Sequence, residues 1–348
     1  MTSPLGITLR NYSIILADTM KIVISIVVLL SIILFSGIWL SQQLCAKTNQ
    51  EMIYIIEPGD SLKKIAKGLQ DNHIIANDYA FIAWVYFKQD AHHLRAGEYL
   101  FEKNSTSAMV LDKIVRGDVL MHSVRIGEGW TFAQIAESLA AETALQKTLD
   151  WNSPDTILQQ LDLSHHIPEG LFFPETYHFP RNYTDAALLT VAYQEMQKFL
   201  NTAWQTRAPH LPYENAYQAL IAASIIEKET AVLSELKDVS GVIYRRLQKS
   251  MPLQVDPTLV FGLGAHYDKP LTKADLKQDT PYNTYLHLGL PPTPIAIPSA
   301  LAIEAALHPN EGTSLYFVAK GDGTHVFTDN LAAHNKAVQD YRNQMEAQ

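Results

Sequence analysis

The segment "ALIAASIIEKETA", Ala219–Ala231, runs from an uncharged apolar stretch directly into two acids. On a helix, an apolar run with no polar face implies burial on all sides. We expect partial burial at the end of this run to keep the carboxyl group of Glu227 protonated near neutral pH, as a general acid requires. Glu229 lies about 200° further round the helix, so it faces a different surface. Glu227 is therefore the candidate acid, and we expect Glu229 to be structural, with Lys228 as its partner.

The composition predicts a folded protein that does not bind nucleic acid. The chain has 348 residues, 47% of them apolar, and a formal net charge of −9. This apolar content suffices for a packed core. The negative charge removes the electrostatic attraction that supplies most nucleic-acid affinity. The only cysteine, Cys45, excludes an intrachain disulfide.

The N-terminal region predicts a single membrane anchor. Ile22–Leu40 has no ionisable group and is long enough to cross a hydrocarbon core of about 30 Å. It is too long for a cleaved signal peptide. Arg10 and Lys21 outnumber Asp18 in the leader, residues 1–21, so the N-terminus is predicted to be cytoplasmic and the rest of the chain extracytoplasmic.

A weak internal repeat follows a polar tether at residues 41–52. "EPGDSLKKIAKGL" (Glu57–Leu69) and "IGEGWTFAQIAESL" (Ile126–Leu139) both predict a strand, a glycine turn, a Ser or Thr cap and an amphipathic helix. This pattern is typical of small wall-binding modules. We therefore expect one module at residues 53–121 and a second copy at the start of a domain covering residues 122–348.

The second half of the chain is mainly helical. Long amphipathic patterns predict helices after Thr184, over Gln218–Thr230 and over "LKDVSGVIYRRLQKS". Ser314–Thr328 predicts a β-hairpin around "GDG". The expected fold class is α+β, with a mainly helical C-terminal domain that contains this hairpin.

Two Pro- and Gly-rich segments are candidates for the rim of a cleft. They are "LQVDPTLVFGLG" (Leu253–Gly264) and "TPYNTYLHLGLPPTPIAIPS" (Thr280–Ser299). Their amides, hydroxyls and aromatic rings are the groups that bind sugars. The predicted substrate-binding residues are Gln254, Asp256, Asn283, Thr284 and Tyr285.

Several motifs in one order resemble the YceG-like family of endolytic murein transglycosylases. They are "PEGLFFPETYHF", "ASIIEKETA", "LQVDPT", "YNTY", "GLPPTPI" and "YFVAKGDGTHVFT" with "HNKAVQDY". The resemblance implies a single N-terminal span, a LysM-like module and a catalytic domain, with Glu227 as the catalytic acid and Glu175 as a substrate-binding residue. It also implies cleavage of peptidoglycan glycan strands to 1,6-anhydro ends, without a metal or cofactor, at the cytoplasmic (inner) membrane. A penicillin-binding peptidoglycan synthase is the partner that the resemblance implies.

Two other functions are compatible with parts of the sequence. A non-catalytic peptidoglycan-binding scaffold would have no need of a desolvated acid at Glu227. A pyridoxal-phosphate lyase would use Lys228 as its Schiff-base residue, but no convincing phosphate-binding loop is present. The paired histidines His92–His93 and His165–His166 lack metal-site spacing.

Three further positions bear on the resemblance. Ser299 stands where the family usually has glycine, and we expect mild strain there if the position requires a positive φ angle. His325 and His334 belong to the matching motifs, and we expect hydrogen-bonding or surface roles for them.

Overall fold

The chain folds as two compact units, Met1–Met121 and His122–Gln348. The computed structural model describes the backbone of residues 5–151, 153–163, 167–264, 267 and 269–346, and the same side chains except those of residues 5–18, 154, 155 and 346. The leader side chains of Arg10 and Asp18, and the His165–His166 pair, lie outside these described residues.

The first unit begins with the long helix α1, Leu5–Cys45. Its segment Thr19–Cys45 contains an 18-residue stretch with a mean hydropathy of 2.8 and is long and apolar enough to cross a membrane. The side chains of this segment are almost all exposed, as an apolar helix surrounded by lipid requires. The helix extends beyond both ends of the predicted span.

The rest of the first unit is a strand–helix–helix–strand arrangement followed by one more helix. The elements are β1 Met52–Ile56, α2 Leu62–Asp71, α3 Asp78–Lys88, β2 Gly97–Phe101 and α4 Ser107–Arg116. β1 and β2 pair antiparallel, from Met52 opposite Phe101 to Ile56 opposite Gly97. The core beneath them includes Leu69, Phe81 and Tyr99.

The helix cap and the helix-ending glycine that the sequence predicts in this unit are both present. The hydroxyl of Ser61 accepts a hydrogen bond from Lys64 N and caps α2. α4 ends at Gly117, whose φ of 71° is a left-handed conformation that favours glycine.

The predicted tether is different in the structure. α1 remains helical to Cys45, and Thr48 is 2% exposed. Thr48 N donates to Ser105 O at 3.0 Å, and its hydroxyl donates to Glu102 O at 2.7 Å. Thr48, a polar residue of the predicted tether, is therefore hydrogen-bonded to the loop before α4.

The second unit begins within β3, Met121–Arg125. The elements that follow are α5 Phe132–Ala141, α6 Pro154–Gln160, β4 Thr176–Pro180, α7 Asp185–Gln205, α8 Ala216–Glu229, α9 Leu236–Gln248, α10 Asp256–Leu263, α11 Ala300–Leu307, β5 Tyr316–Ala319, β6 His325–Thr328 and α12 Leu331–Glu346. The predicted helices and hairpin are therefore confirmed. β5 and β6 pair antiparallel, with Phe317 opposite Phe327.

The second copy of the repeat forms β3 and α5. Gln134 Oε1 accepts a hydrogen bond from Thr131 N at 2.9 Å, as in a capping box. β3 pairs with β4, and α5 and α6 lie between these two strands in the chain, just as α2 and α3 lie between the paired strands β1 and β2. The two copies thus share a strand–helix–helix–strand order.

Candidate active site

Helix α8 lies at the centre of the second unit. All residues from Ala219 to Ile226 are buried, which confirms the burial predicted for this run. Helices α7, α9, α10 and α11 pack around it. The two acids that follow Ile226 therefore emerge from the core at one end of α8.

Glu227 is held by the start of α11. Its Oε2 atom accepts hydrogen bonds from Ser299 N at 3.0 Å and from Ser299 Oγ at 2.6 Å. The same Oγ accepts a bond from Ala302 N and caps α11. A helix N-terminus stabilises negative charge, so this carboxylate links the end of α8 to the beginning of α11.

Ser299 is not strained. Its φ of −66° and ψ of 161° are ordinary for a residue that precedes a helix. The condition on which strain was expected, a positive φ angle, is therefore not met. Ser299 uses its side chain for two purposes that glycine could not serve, the helix cap and the bond to Glu227.

The neighbouring turn completes the surroundings of Glu227. Gly129, with a φ of +69°, is so close that an added Cβ would lie 3.9 Å from Glu227 Oε1. Lys228 Nζ donates to Gly129 O at 3.2 Å, and Gly129 N donates to Ile297 O at 2.7 Å. Lys228 thus pairs with a carbonyl on this side and not with Glu229.

Glu229 lies in the environment that the sequence analysis assigned to Glu227. The pKa of Glu229 is raised to about 7, mainly by desolvation and also by the negative charge of Asp256, against the opposing charge of Arg246. A carboxyl group with this pKa carries its proton in an appreciable fraction of molecules at neutral pH, as a general acid must.

Asp256 and Tyr285 form the opposite side of this site. The Tyr285 hydroxyl donates to Asp256 Oδ1 at 2.5 Å. Burial, the bond to Asp256 and the charge of Glu229 all raise the pKa of Tyr285, so its hydroxyl stays neutral. We call Glu229, Arg246, Asp256 and Tyr285 the Glu229 cluster.

Arg246 joins the cluster to the segment that carries the predicted cleft residues. It is 8% exposed. Its Nη1 donates to Leu253 O at 2.7 Å and to Pro252 O at 3.1 Å, and its Nε donates to Leu315 O at 2.7 Å. The guanidinium also lies 5.0 Å from the Tyr316 ring centroid. Arg246 thus fixes the chain just before Asp256 and brings a positive charge near Glu229.

Two predicted substrate-binding residues prove to be internal. Asn283 is 0% exposed and Thr284 is 2% exposed. Asn283 Nδ2 donates to Gln278 O at 2.7 Å, and Thr284 Oγ1 accepts a bond from Val255 N at 3.0 Å. Their polar atoms hold the loop together, so burial argues against direct contact with a sugar and assigns them a supporting role.

The other predicted residues have accessible side chains in two different places. Gln254 is exposed, and its Oε1 lies 3.4 Å from Arg246 Nη1, so it borders the Glu229 cluster. Glu175 is exposed at the start of β4, where its main-chain oxygen accepts a bond from Ile126 N. The structure therefore groups Gln254, Asp256 and Tyr285 with Glu229 and places Glu175 in the β3–β4 sheet.

Glu169 is a buried acid that the sequence analysis missed. It is 6% exposed, and its Oε1 accepts a bond from Phe132 N at the start of α5 at 3.0 Å. Burial raises its pKa to about 7, although Phe132 N and Lys228 oppose this effect. The signal was present in "PEGLFF", an acid inside an otherwise apolar motif, but Glu175 in the same motif was preferred.

The two motif histidines stabilise the C-terminal hairpin. His325 Nδ1 lies 2.7 Å from Glu235 Oε2, and His325 N donates to Glu235 Oε1 at 3.0 Å. His334 stacks on Tyr316 with ring centroids 5.1 Å apart. Both observations agree with the structural roles expected from the sequence.

Comparisons with known proteins agree with this architecture. The model of the YceG-like family matches residues 54–340. The endolytic murein transglycosylase of Bacillus subtilis is 34% identical over 306 residues, which cover 82% of this chain and 83% of that protein. The endolytic murein transglycosylase of Streptococcus pneumoniae serotype 2 is 27% identical over 322 residues, which cover 83% of this chain and 58% of that longer protein.

A solved structure is also similar. The crystal structure of a yceG-like protein from Listeria monocytogenes superimposes with a TM-score of 0.52 and 29% identity, over 82% of this chain and 98% of that one. The motifs, the fold and the family match together define the class. The chain belongs to the YceG-like family.

Proposed function

We propose that the chain is a membrane-anchored lytic transglycosylase that cuts peptidoglycan glycan strands internally. It cleaves the bond between N-acetylmuramic acid and N-acetylglucosamine and leaves a 1,6-anhydro end. The names of the relatives from Bacillus and Streptococcus support the activity and the substrate. The observation that carries the proposal is the position of Glu229, a half-buried acid whose pKa is raised to about 7 by desolvation, near Asp256 and Tyr285.

Glu229 acts first as an acid and then as a base. In its neutral form it donates its proton to the glycosidic oxygen as the bond from that oxygen to C1 of the muramic acid breaks. The resulting carboxylate takes the proton from the C6 hydroxyl of the same sugar, and O6 bonds to C1. Since the attacking hydroxyl is part of the substrate, one acid suffices and no water needs to be captured.

The environments of the two acids favour Glu229 over Glu227 for this role. Both hydrogen bonds from Ser299 go to Glu227 Oε2, which is thereby committed to the α8–α11 link. Glu229 instead lies near Asp256, Tyr285 and the segment that Arg246 orders. The prediction of Glu227 as the acid rested on the apolar run, on the helix face and on the family resemblance, whereas the structure places a strongly desolvated carboxyl group at Glu229.

The remaining groups of the cluster have distinct parts in the proposed reaction. Asp256 holds the proton on Glu229 through its negative charge and accepts the bond from Tyr285. Arg246 limits that effect, so that Glu229 can also lose its proton. Gln254 is exposed next to this pair and supplies an amide for a sugar hydroxyl or acetamido group.

Location at the membrane completes the proposal. α1 anchors the chain in the cytoplasmic membrane with its N-terminus inside, and the chain that follows α1 lies outside. The first unit is a LysM-like module that binds the wall. The enzyme limits the length of strands made by a neighbouring penicillin-binding synthase.

A pair of matched substitutions tests the chemistry. Purified peptidoglycan is incubated with the full-length wild type, Glu229→Gln and Glu227→Gln, and anhydro-muropeptides are quantified. We expect Glu229→Gln to lower the rate at least about a hundredfold, since positioned acid–base groups contribute that much or more. Glu227→Gln keeps an oxygen that can accept the bonds from Ser299, so we expect most of the activity to remain.

The opposite result would restore Glu227 as the acid. A wild-type protein that retains peptidoglycan but releases no anhydro product would instead identify a non-catalytic binding scaffold.

A further inference from the structure

Helix α3 in the first unit carries apolar residues on two opposite sides. Ala80, Phe81 and Val85 are buried in the core of the unit. On the other side the side chains of Tyr79, Tyr86 and Phe87 are 73%, 64% and 75% exposed. These positions, with Ala83, follow the spacing i, i+4, i+7 and i+8 of one helix face.

This exposed face lies beside the outer end of α1. Trp39 and Leu40 of α1 line a cleft of about 420 Å³ together with Tyr79 and Ala83 of α3. The end of α1 is fixed there, because Leu44 is 8% exposed and the Ser107 hydroxyl bonds to Gln43 O at 3.4 Å. The aromatic face of α3 therefore lies beside Trp39 and Leu40, at the end of the apolar segment of α1.

We propose that the α3 face formed by Tyr79, Ala83, Tyr86 and Phe87 lies in the interfacial layer of the bilayer that α1 spans. Tyrosine and tryptophan favour this layer because their rings are apolar and their polar atoms reach water. The proposal rests on the proposed function only in that α1 is a membrane span. The part of the first unit that follows α1 then contacts the bilayer surface through α3 and is not attached to α1 by a flexible linker.

The surroundings of the face fit a lipid surface. Trp84 stacks on Phe87 with ring centroids 5.4 Å apart, and Lys88 Nζ lies 5.3 Å from the Trp84 ring centroid. A lysine at the edge of an apolar face can extend its ammonium group to lipid phosphates. The face is continuous with α1, whose neighbouring residues are themselves exposed to the surrounding lipid, so a bilayer covers both without a second partner.

Site-specific fluorescence tests this placement in the full-length protein. Cys45→Ser removes the only thiol, and Ala83→Cys or Tyr86→Cys introduces a new one for an environment-sensitive fluorophore. Lys67→Cys is the control, because Lys67 lies on α2 and its side chain is 65% exposed. The labelled proteins are reconstituted in phosphatidylethanolamine–phosphatidylglycerol vesicles, with or without nitroxide-bearing phospholipid. The Ala83 variant retains all three exposed rings.

The proposal expects labels at positions 83 and 86 to be quenched at least several-fold more by the nitroxide lipid than the label at position 67. Equal access of iodide to all three labels would overturn it. Protection from iodide without quenching by lipid would also overturn it and would point to a second copy of the chain. Alkaline extraction of the same vesicles tests the anchor separately: protein that washes off disproves the span, whereas retained but unquenched protein disproves only the interfacial face. Thermal unfolding followed by circular dichroism confirms that each variant is folded.

Discussion

Ser299 donates two hydrogen bonds to one oxygen of Glu227 while the same hydroxyl caps helix α11. This single side chain connects the C-terminal end of the central helix α8 with the N-terminal end of α11. The link explains why an acid directly after an apolar run can be structural. It also separates the roles of two acids that lie only two positions apart.

We predict that Ser299→Ala lowers the free energy of unfolding by about 1 to 2 kcal/mol, because it removes a helix cap and a bond to a carboxylate. Urea unfolding measures this change. Ser299→Gly is the matched control for the cap, since glycine costs only a few tenths of a kcal/mol at a cap position. Both variants should still release anhydro-muropeptides. Wild-type stability in both variants would show that the link contributes nothing.

The pH dependence of catalysis should follow Glu229. The acid step needs the protonated form, and the pKa of Glu229 is raised to about 7. The rate of anhydro-muropeptide release at low substrate concentration should therefore fall as pH rises through about 7. Initial rates between pH 5 and 9 measure this fall in rate. Glu227→Gln should show the same fall. If the rate of that variant no longer fell as pH rises, the assignment of Glu229 would be contradicted.

Replacement of Arg246 should move the fall in rate to higher pH. The guanidinium lowers the pKa of Glu229, so Arg246→Met should raise the apparent pKa of the reaction by about one unit or more. Arg245→Met is the control. Arg245 makes similar bonds, with its Nε donating to Ser314 O at 2.7 Å, but its charged neighbours are Asp238 and Asp329. Both variants should lose stability, whereas only Arg246→Met should shift the pH profile. Equal pH–rate profiles of the two variants would show that Arg246 only fixes the position of the chain before Asp256.

Buried Glu169 should make the protein less stable as pH rises. Its pKa in the folded state is about 7, above the ordinary value of 4.5, so the folded state binds more protons than the unfolded state between these values. The free energy of unfolding should then decrease between pH 4.5 and 7.

The Glu169→Gln variant tests this dependence. Its side chain cannot ionise and keeps an oxygen for Phe132 N, so the decrease should be smaller. Urea midpoints at pH 5 and pH 7.5 compare the two proteins. Since Glu229 contributes in the same direction, a residual slope should remain and should decrease further in the double variant. An unchanged slope in Glu169→Gln would show that this acid does not titrate in that range.

Most of the elements could be predicted because their signals are local. The cap at Thr184, the glycine after α4 and the apolar run of α8 each depend on residues a few positions apart. The same is true of the apolar segment in α1. The packing of residues 46–48 was not predictable, because Thr48 binds Ser105 and Glu102, which are distant in sequence.

Only part of the arrangement at the candidate site could be predicted from the sequence. Gln254, Asp256 and Tyr285 do surround an acid of the "EKE" motif. Asn283 and Thr284 come from the same polar loop but turn inward, since loops need internal hydrogen bonds as well as exposed ones. Arg246 gave no sign of its role, because its partners are main-chain oxygens that no sequence pattern marks.

The sequence by itself determined that an apolar helix stands near the N-terminus, that a buried helix ends in two acids, and that the motifs are those of the YceG-like family. These follow from periodicity, capping and residue order along the chain. Only the tertiary structure decided which acid is bound by a helix N-terminus and which is desolvated beside another carboxylate. The reason is that the proton affinity of a side chain depends on the groups packed around it, and Ser299, Arg246, Asp256 and Tyr285 reach α8 only when the chain folds.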